Sequence, residues 1–366
     1  VVNEEQNDFA QRFGKAKRAA LQATGGDEQT EAAVEAGLRW LAGSQRTDGS
    51  WDPLASGAGR ERAPLGLRRD AAGQKATTGL TGLALLAMLG AGNTHRDGPY
   101  APSVHAGLSY LIRRQEPDGS LAGDAGAFAK TYCHGMAALA LCEAAAITGD
   151  PQALSAAKAA VAHTVRLQHP ITGGWRYVPR DPGDLSQLGW QAMVLESGRR
   201  ASLPIPEKAQ AGIFRFLESV RGGRQGGLAA YRPGEQPTAT MTAEALATRL
   251  LLDEKVPTTE VAEAERLMLQ SAPGTEQANY YYWYYASLAL HQLQDDAWST
   301  WNQRLKQTLV STQQSDGSWP TDSVWGGYGG RVYTTAVGCL CLEVYYRHAA
   351  AASPRVAGAI QRTLTE

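Results

Sequence analysis

The chain has 366 residues, with 35 Lys+Arg against 36 Asp+Glu, a balance that lacks the basic excess of a nucleic-acid-binding surface. A hydrophobic fraction of 43% can bury a large core, which excludes disorder, and 40 glycines without a three-residue period exclude collagen. Charged residues make up only 19% of the chain, below the roughly 25% usual in soluble domains, and small residues fill the gap.

Residues 1–29 carry no repeat and read as a peripheral helix or arm. From about Thr30 the chain repeats itself, which decides the domain count. The first unit is GLRWLAGSQRTDGSW at 37–51 and the second is GLSYLIRRQEPDGSL at 107–121. The third is VAHTVRLQHPITGGW at 161–175, and a late one is QTLVSTQQSDGSW at 307–319. Weaker copies lie at Phe214–Tyr231 and Leu267–Gln277. Each is a helix-period run, then Gln, then a Gly-containing turn, then Trp or another large apolar residue in the clear copies. A second helix follows each copy, from Thr78, His134, Leu188, Met241, Trp283 and Thr334. Four residues on, each has a small residue: Gly82, Ala138, Ala192, Ala245, Ser287 and Gly338. A fixed small position implies close packing there.

The second helices are apolar nearly all round and read as buried. The first helices carry charges such as Arg39, Arg113, Lys158, Lys208 and Lys306 and read as outer. Six such pairs predict an all-α (α/α)6 toroid, a single domain over 1–366 with repeats at about 30–350. An open solenoid is the alternative, but six regular units favour a closed ring. The Asp-Gly turns at Asp48-Gly49, Asp118-Gly119 and Asp316-Gly317 tolerate positive φ. The Gln before each turn can bond exposed backbone, and Trp51, Trp175 and Trp319 can cover the join. Cys133, Cys142, Cys339 and Cys341 sit in apolar helical runs without zinc-type spacing and read as buried thiols.

The longest apolar run, Gly79 to Gly92, is too short for the ~18–20 residues that span a bilayer. The chain starts at Val1 rather than Met, which is compatible with a processed product and leaves room for an upstream membrane anchor. The expectation is a soluble domain, cytoplasmic or exported after removal of an upstream segment.

The Gln…Gly-Ser-Trp units resemble the QW repeats of the prenyltransferase and squalene-cyclase family, from about Thr30 to Tyr346. TYCHGMAALALCEA (131–144), GDLSQLGWQAMVLES (183–197), NYYYWYYASLAL (279–290) and GGRVYTTAVGCLCLEVYYR (329–347) look like single-toroid bacterial members of it. The resemblance implies a terpenoid cyclase/protein prenyltransferase-like toroid with a central cavity for an isoprenoid or other apolar ligand. It also implies two chemistries to look for. Class II terpene cyclases protonate an alkene with the middle aspartate of D-x-D-D, and the matching stretch here is Asp184-Leu185-Ser186-Gln187, with Ser186 at the donor position. Protein prenyltransferases hold zinc with Asp, Cys and His. Cys133 and His134 are adjacent on a helix and point about 100° apart, so they do not share a metal. Neither zinc nor magnesium is expected as a cofactor.

The ends of the inner helices supply the candidate site. Asp184 and His134 are the candidate catalytic pair, a carboxylate and a general base. Asp184 also reads as a helix cap, and His134 as a hydrogen-bonded core histidine. Candidate ligand-lining residues are Thr78, Tyr132, Trp190, Tyr281, Tyr282, Trp283, Arg331 and Tyr333. The aromatic run 280–285 either stabilises a cation or packs. Arg331, after the glycines at 326–330, reaches an anionic group or rides a mobile lid. The basic stretch 60–69 reads as a solvated loop. Three functions follow: an isoprenoid-binding cyclase or transferase, a non-catalytic module for a peptide, lipid or protein, and a carbohydrate-active toroid enzyme using His134, Tyr132 and Arg331. A deep apolar cavity would favour the first, and a shallow polar groove a sugar or peptide.

Overall fold

The structure, a computed structural model, describes residues 9–61, 69, 71–178 and 181–348, with the backbone of 356–357. The predicted basic loop at 60–69 therefore lies mostly outside the described residues. After α1 (Gly14–Thr24), helices alternate between an outer and an inner layer. The outer ones are α2 (Glu28–Gly43), α4 (Ala101–Arg114), α6 (Pro151–Leu167), α8 (Glu207–Ser219), α10 (Thr258–Gln270) and α12 (Asp296–Thr312). Their inner partners are α3 (Thr77–Gly90), α5 (Ala127–Thr148), α7 (Leu185–Arg200), α9 (Ala239–Leu251), α11 (Tyr280–Leu293) and α13 (Gly326–Leu342). Each inner helix packs on the next, and α13 packs back on α3, so the ring closes. The chain folds as an (α/α)6 toroid.

Burial follows the sequence pattern. Every residue of α3 from Thr78 to Gly90 is buried, and so is every residue of α7 from Leu185 to Gly198. The outer α8 buries one stripe, Ala209, Gly212, Ile213, Phe216 and Leu217, at helical spacing. The fixed small position serves close approach. A Cβ on Gly82 would run into the Met136–Ala137 backbone of α5, and one on Gly338 would press on the Trp319 ring. At the same position Ser287 accepts the Trp301 indole N–H at 3.0 Å.

The Gln–Trp turns are clamps between neighbouring outer helices. The Gln45 amide donates to the Gly49 carbonyl of its own turn and to the Ser103 carbonyl of α4, both at 2.9 Å. Gln115 does the same to Gly119 and Ala156 of α6, and Gln168 to Gly173 and Ala209 of α8. Gln313 bonds Gly317 and reaches Ala33 of α2, which joins the last pair to the first. The turn glycines have φ near +90° (Gly49 93°, Gly119 86°, Gly317 91°) and abut the next outer helix, so no side chain fits. Trp51, Trp175 and Trp319 each donate their indole N–H to a carbonyl near the end of the preceding outer helix, at 2.7–2.9 Å.

An ion cluster sits at the C-terminal ends of the inner helices, where a cavity of about 320 Å³ is lined by Arg200, Leu251, Gln292 and His348 among others. Arg12 from the short turn Ala10–Arg12 and Arg347 from α14 (Val344–Arg347) both hold Glu143 of α5, at 2.7 and 2.6 Å. Arg12 also donates to the Arg347 carbonyl at 3.1 Å. These three side chains are 0–2% exposed. Breaking a buried pair from one side costs more than the pair contributes, because a desolvated charge is left behind. Arg12→Ala is therefore expected to cost about 3–5 kcal/mol in urea unfolding. Arg39→Ala, which removes an exposed i,i+4 pair with Glu35, should cost under about 1 kcal/mol.

Candidate functional site

The opposite mouth, at the N-terminal ends of the inner helices, gathers carboxyl and phenol groups. Asp184 caps α7 by accepting the Gln187 N–H at 2.9 Å, as its position predicts. It also accepts Ser186 Oγ (2.9 Å), Tyr231 Oη (2.7 Å) and Arg176 Nε (3.1 Å). Burial pushes its carboxyl above the usual carboxylate range, against the pull of Tyr231, the Gln187 N–H, Ser186 and Arg176. Ser186 spends its proton on Asp184, so the 2.6 Å contact with Tyr132 is a bond that Tyr132 donates. By the same count Tyr177 donates to Tyr231 at 3.0 Å. Tyr132, Tyr177 and Tyr231 are half-buried, so this array borders open space.

A second carboxyl joins it. Glu244 of α9 is fully buried, and Tyr281 Oη lies 3.0 Å from both of its oxygens and 3.2 Å from the Ser186 carbonyl. A Cβ on Gly189 would collide with the Glu244 carboxyl, so α7 makes room for it with a glycine. Burial raises the Glu244 carboxyl well above its usual range. Sequence reasoning missed Glu244; its signal was a lone acid in the apolar run of α9.

The other predicted residues scatter. His134 is not beside Asp184. Its Nδ1 accepts the Leu121 backbone N–H at 3.1 Å, and its Nε2 pairs with Thr164 Oγ1 at 2.9 Å. Thr81, Thr242 and Thr335 accept the matching turn N–H groups of Trp51, Ala229 and Trp319, so His134 fills a structural position. Of the aromatic run, Tyr281 and Tyr285 meet the Glu244 carboxyl. Asn279 caps α11, which fixes the phase that turns Tyr282 outward to donate to the Met268 carbonyl at 2.6 Å. Trp283 packs edge-on to Tyr280, and Trp190 stacks on Tyr284 deep in the core. Thr78 and Tyr333 are buried in α3 and α13.

Arg331 is spent on a repeat turn. It bonds Gln314, Asp316 and Ser318 and lies over the Trp40 ring. The glycines at 326–330 form no free loop. They wind into α13 with a kink at Gly330 (φ 72°), zipped to the first pair's link through Gly59 N–H to Tyr328 O and Arg60 N–H to Gly327 O. Beside them opens a cavity of about 520 Å³, lined by Arg60, Glu61, Gln277, Ser323, Tyr328 and Arg331 among others. A neighbouring cavity of about 300 Å³, bordered by Thr240, Tyr282 and Trp283, shares Gln277 and Val324 with it. The two adjoin across the ends of α13, α11 and α9, the larger one being the more polar. Arg69 links groove and carboxyl cluster, lying over the Tyr328 ring (5.9 Å) and bonding Tyr177.

No family model and no curated protein matches the chain. Solved structures share its fold. An inactive variant of the α-1,6-mannanase GH76A of Salegentibacter sp. HEL1_6, in complex with α-1,6-mannotetrose, aligns with a TM-score of 0.60 at 12% identity. The alignment covers 87% of this chain and 99% of that one. A variant of the type II terpene cyclase MstE from Scytonema, in complex with geranylgeranyl dihydroxybenzoate, gives 0.56 at 14% identity over 90% and 99% of the two chains. An α-amylase from Clostridium perfringens gives 0.59 at 10% identity over 86% and 98%. The class these define is the (α/α)6 toroid, common to terpene cyclases and glycan-cleaving enzymes alike, and fold by itself selects no function among them.

Burial lowers the His134 imidazole from 6.5 to about 3. A base with a depressed native value contributes stability above its unfolded value, and that stability is lost as the pH falls through the native one. Urea unfolding should therefore show stability declining from pH 6.5 toward about 3, with this component missing in His134→Asn.

Proposed function

We propose that this toroid binds an oligosaccharide at the N-terminal mouth of its inner helices. The observation that carries the reading is the polar groove of about 520 Å³ beside a cluster of carboxyl and phenol groups. A sugar presents hydroxyls that both donate and accept, and the groove offers partners of each kind in Arg60, Glu61, Gln277 and Ser323. Half-buried Tyr132, Tyr177 and Tyr231 add faces on which a pyranose ring can rest. The isoprenoid reading asks for an acid free to protonate an alkene. Asp184 instead accepts four hydrogen bonds, and a serine stands at the donor position. Fold neighbours include a mannanase in complex with a mannooligosaccharide and a cyclase in complex with an isoprenoid, so the fold does not choose between the two readings.

Calorimetric titration with manno- and gluco-oligosaccharides, and in parallel with geranylgeranyl diphosphate, tests this. Saturable binding of an oligosaccharide, weakened several-fold in Gln277→Ala, is the expected result. Binding of the isoprenoid diphosphate with none of any sugar would restore the cyclase-like reading.

A further inference from the structure

We propose that Glu244 is a stored proton donor, and that with Tyr281 it forms the general acid for glycosidic cleavage at this mouth. The inference rests on the oligosaccharide reading for its substrate, and on the geometry of α7, α9 and α11 for its proton. Glu244 is wholly buried, and the groups facing it are the Tyr281 and Tyr285 phenols of α11, the Gly189 backbone N–H of α7 and the Asp184 carboxyl at the start of α7. None of these is a cation. The guanidinium on the same helix, Arg249, turns away and is paired with Glu254 and Glu260 on the α10 side. A carboxylate so placed would have hydrogen bonds but no cation, beside another carboxyl in a fully buried site, so the neutral acid is the favoured form.

The hydrogen bonds are consistent with that form. Tyr281 has one proton and two neighbours, the Glu244 carboxyl (3.0 Å) and the Ser186 carbonyl (3.2 Å). The carbonyl can only accept. If Glu244 donates to Tyr281 and Tyr281 donates to Ser186, both Tyr281 and the Ser186 carbonyl are satisfied. Tyr281 is half-buried while Glu244 is sealed, so the phenol is the route by which the proton reaches a ligand.

The step balances. Tyr281 gives its phenolic proton to the glycosidic oxygen as Glu244 passes its own to the phenolic oxygen. The bond between the anomeric carbon and that oxygen breaks, and the leaving sugar departs as an alcohol. Water then adds its hydroxyl to the anomeric carbon, and its remaining proton returns Glu244 to the neutral acid. Glu244 is the proton source and Tyr281 the group that touches the substrate.

The first test needs no substrate. Infrared spectra of the whole protein at neutral pH should show a protonated carboxyl C=O band that vanishes in Glu244→Gln and shifts in Tyr281→Phe. Thermal melting adds the sign. A carboxyl with a raised native value loses stability as pH rises above its ordinary 4.5, so the wild type should weaken with pH more steeply than Glu244→Gln. A missing band, or equal slopes, would overturn the proton store. Should Glu244→Gln not fold, the band shift in Tyr281→Phe carries the test.

The second test uses the oligosaccharide found to bind. Turnover should fall about 100-fold or more in Glu244→Gln with little change in affinity. Retained turnover in that variant, or a bound sugar that wild type leaves uncleaved, would overturn the general-acid role. If no sugar binds at all, the oligosaccharide reading and the acid role fail together, and the infrared result still decides the protonation of Glu244.

Discussion

One side-chain amide, repeated four times, holds the ring in register. A glutamine at the end of an outer helix donates both its N–H groups, one to the turn it precedes and one to the next outer helix. Each such bond contributes only about 1 kcal/mol net. Its value lies in direction. It fixes where the turn sits, the turn glycine then lets the neighbour's backbone approach, and the indole seals the join. Inner helices that are apolar all round have no stable face of their own, so their burial depends on outer helices placed this way.

The inner helices run parallel, and their dipoles add rather than cancel. Their N-terminal ends carry partial positive charge and their C-terminal ends partial negative. Some of the charged side chains follow that polarity. Asp184 sits at a helix start, whereas Arg12 and Arg347 sit at the other mouth and donate to the Leu89 and Leu86 carbonyls of α3 at 3.4 and 2.8 Å. One mouth therefore holds two cations that the helix ends attract, around the buried Glu143. The other holds Asp184, bonded to a phenol, a serine and an arginine, and Glu244, bonded to a phenol.

Much of the fold was legible because its signals are local. Period, Gln, Asp-Gly and Trp fall within fifteen residues, and each performs the job its chemistry suggests. Where the fourth unit lacks the motif, a two-stranded hairpin, Arg221–Gly222 with Leu228–Ala229, takes the turn's place. The site was less legible because it depends on helix phase and on distant backbone. Nothing near His134 reveals that its partner is the N–H of Leu121. Nothing in a run of six aromatics says that Tyr281 faces the axis and Tyr282 the outer layer. The glycines at 326–330 looked mobile, yet the backbone of 56–60, some 270 residues earlier, pins them. Glu244 needed the reverse inference, that the lone acid in a mostly buried helix is there for a reason.

The Gln313 bond to Ala33 also bears on how the molecule comes apart. A linear stack of helical repeats frays from its two terminal units, each lacking a neighbour on one side. Here the sixth unit grips the first as the others grip theirs, and residues near both chain ends share Glu143 in a single ion cluster. No unit is terminal. Losing one opens two seams at once, so partial unfolding offers little intermediate ground, and the protein behaves as one cooperative body despite its modular sequence.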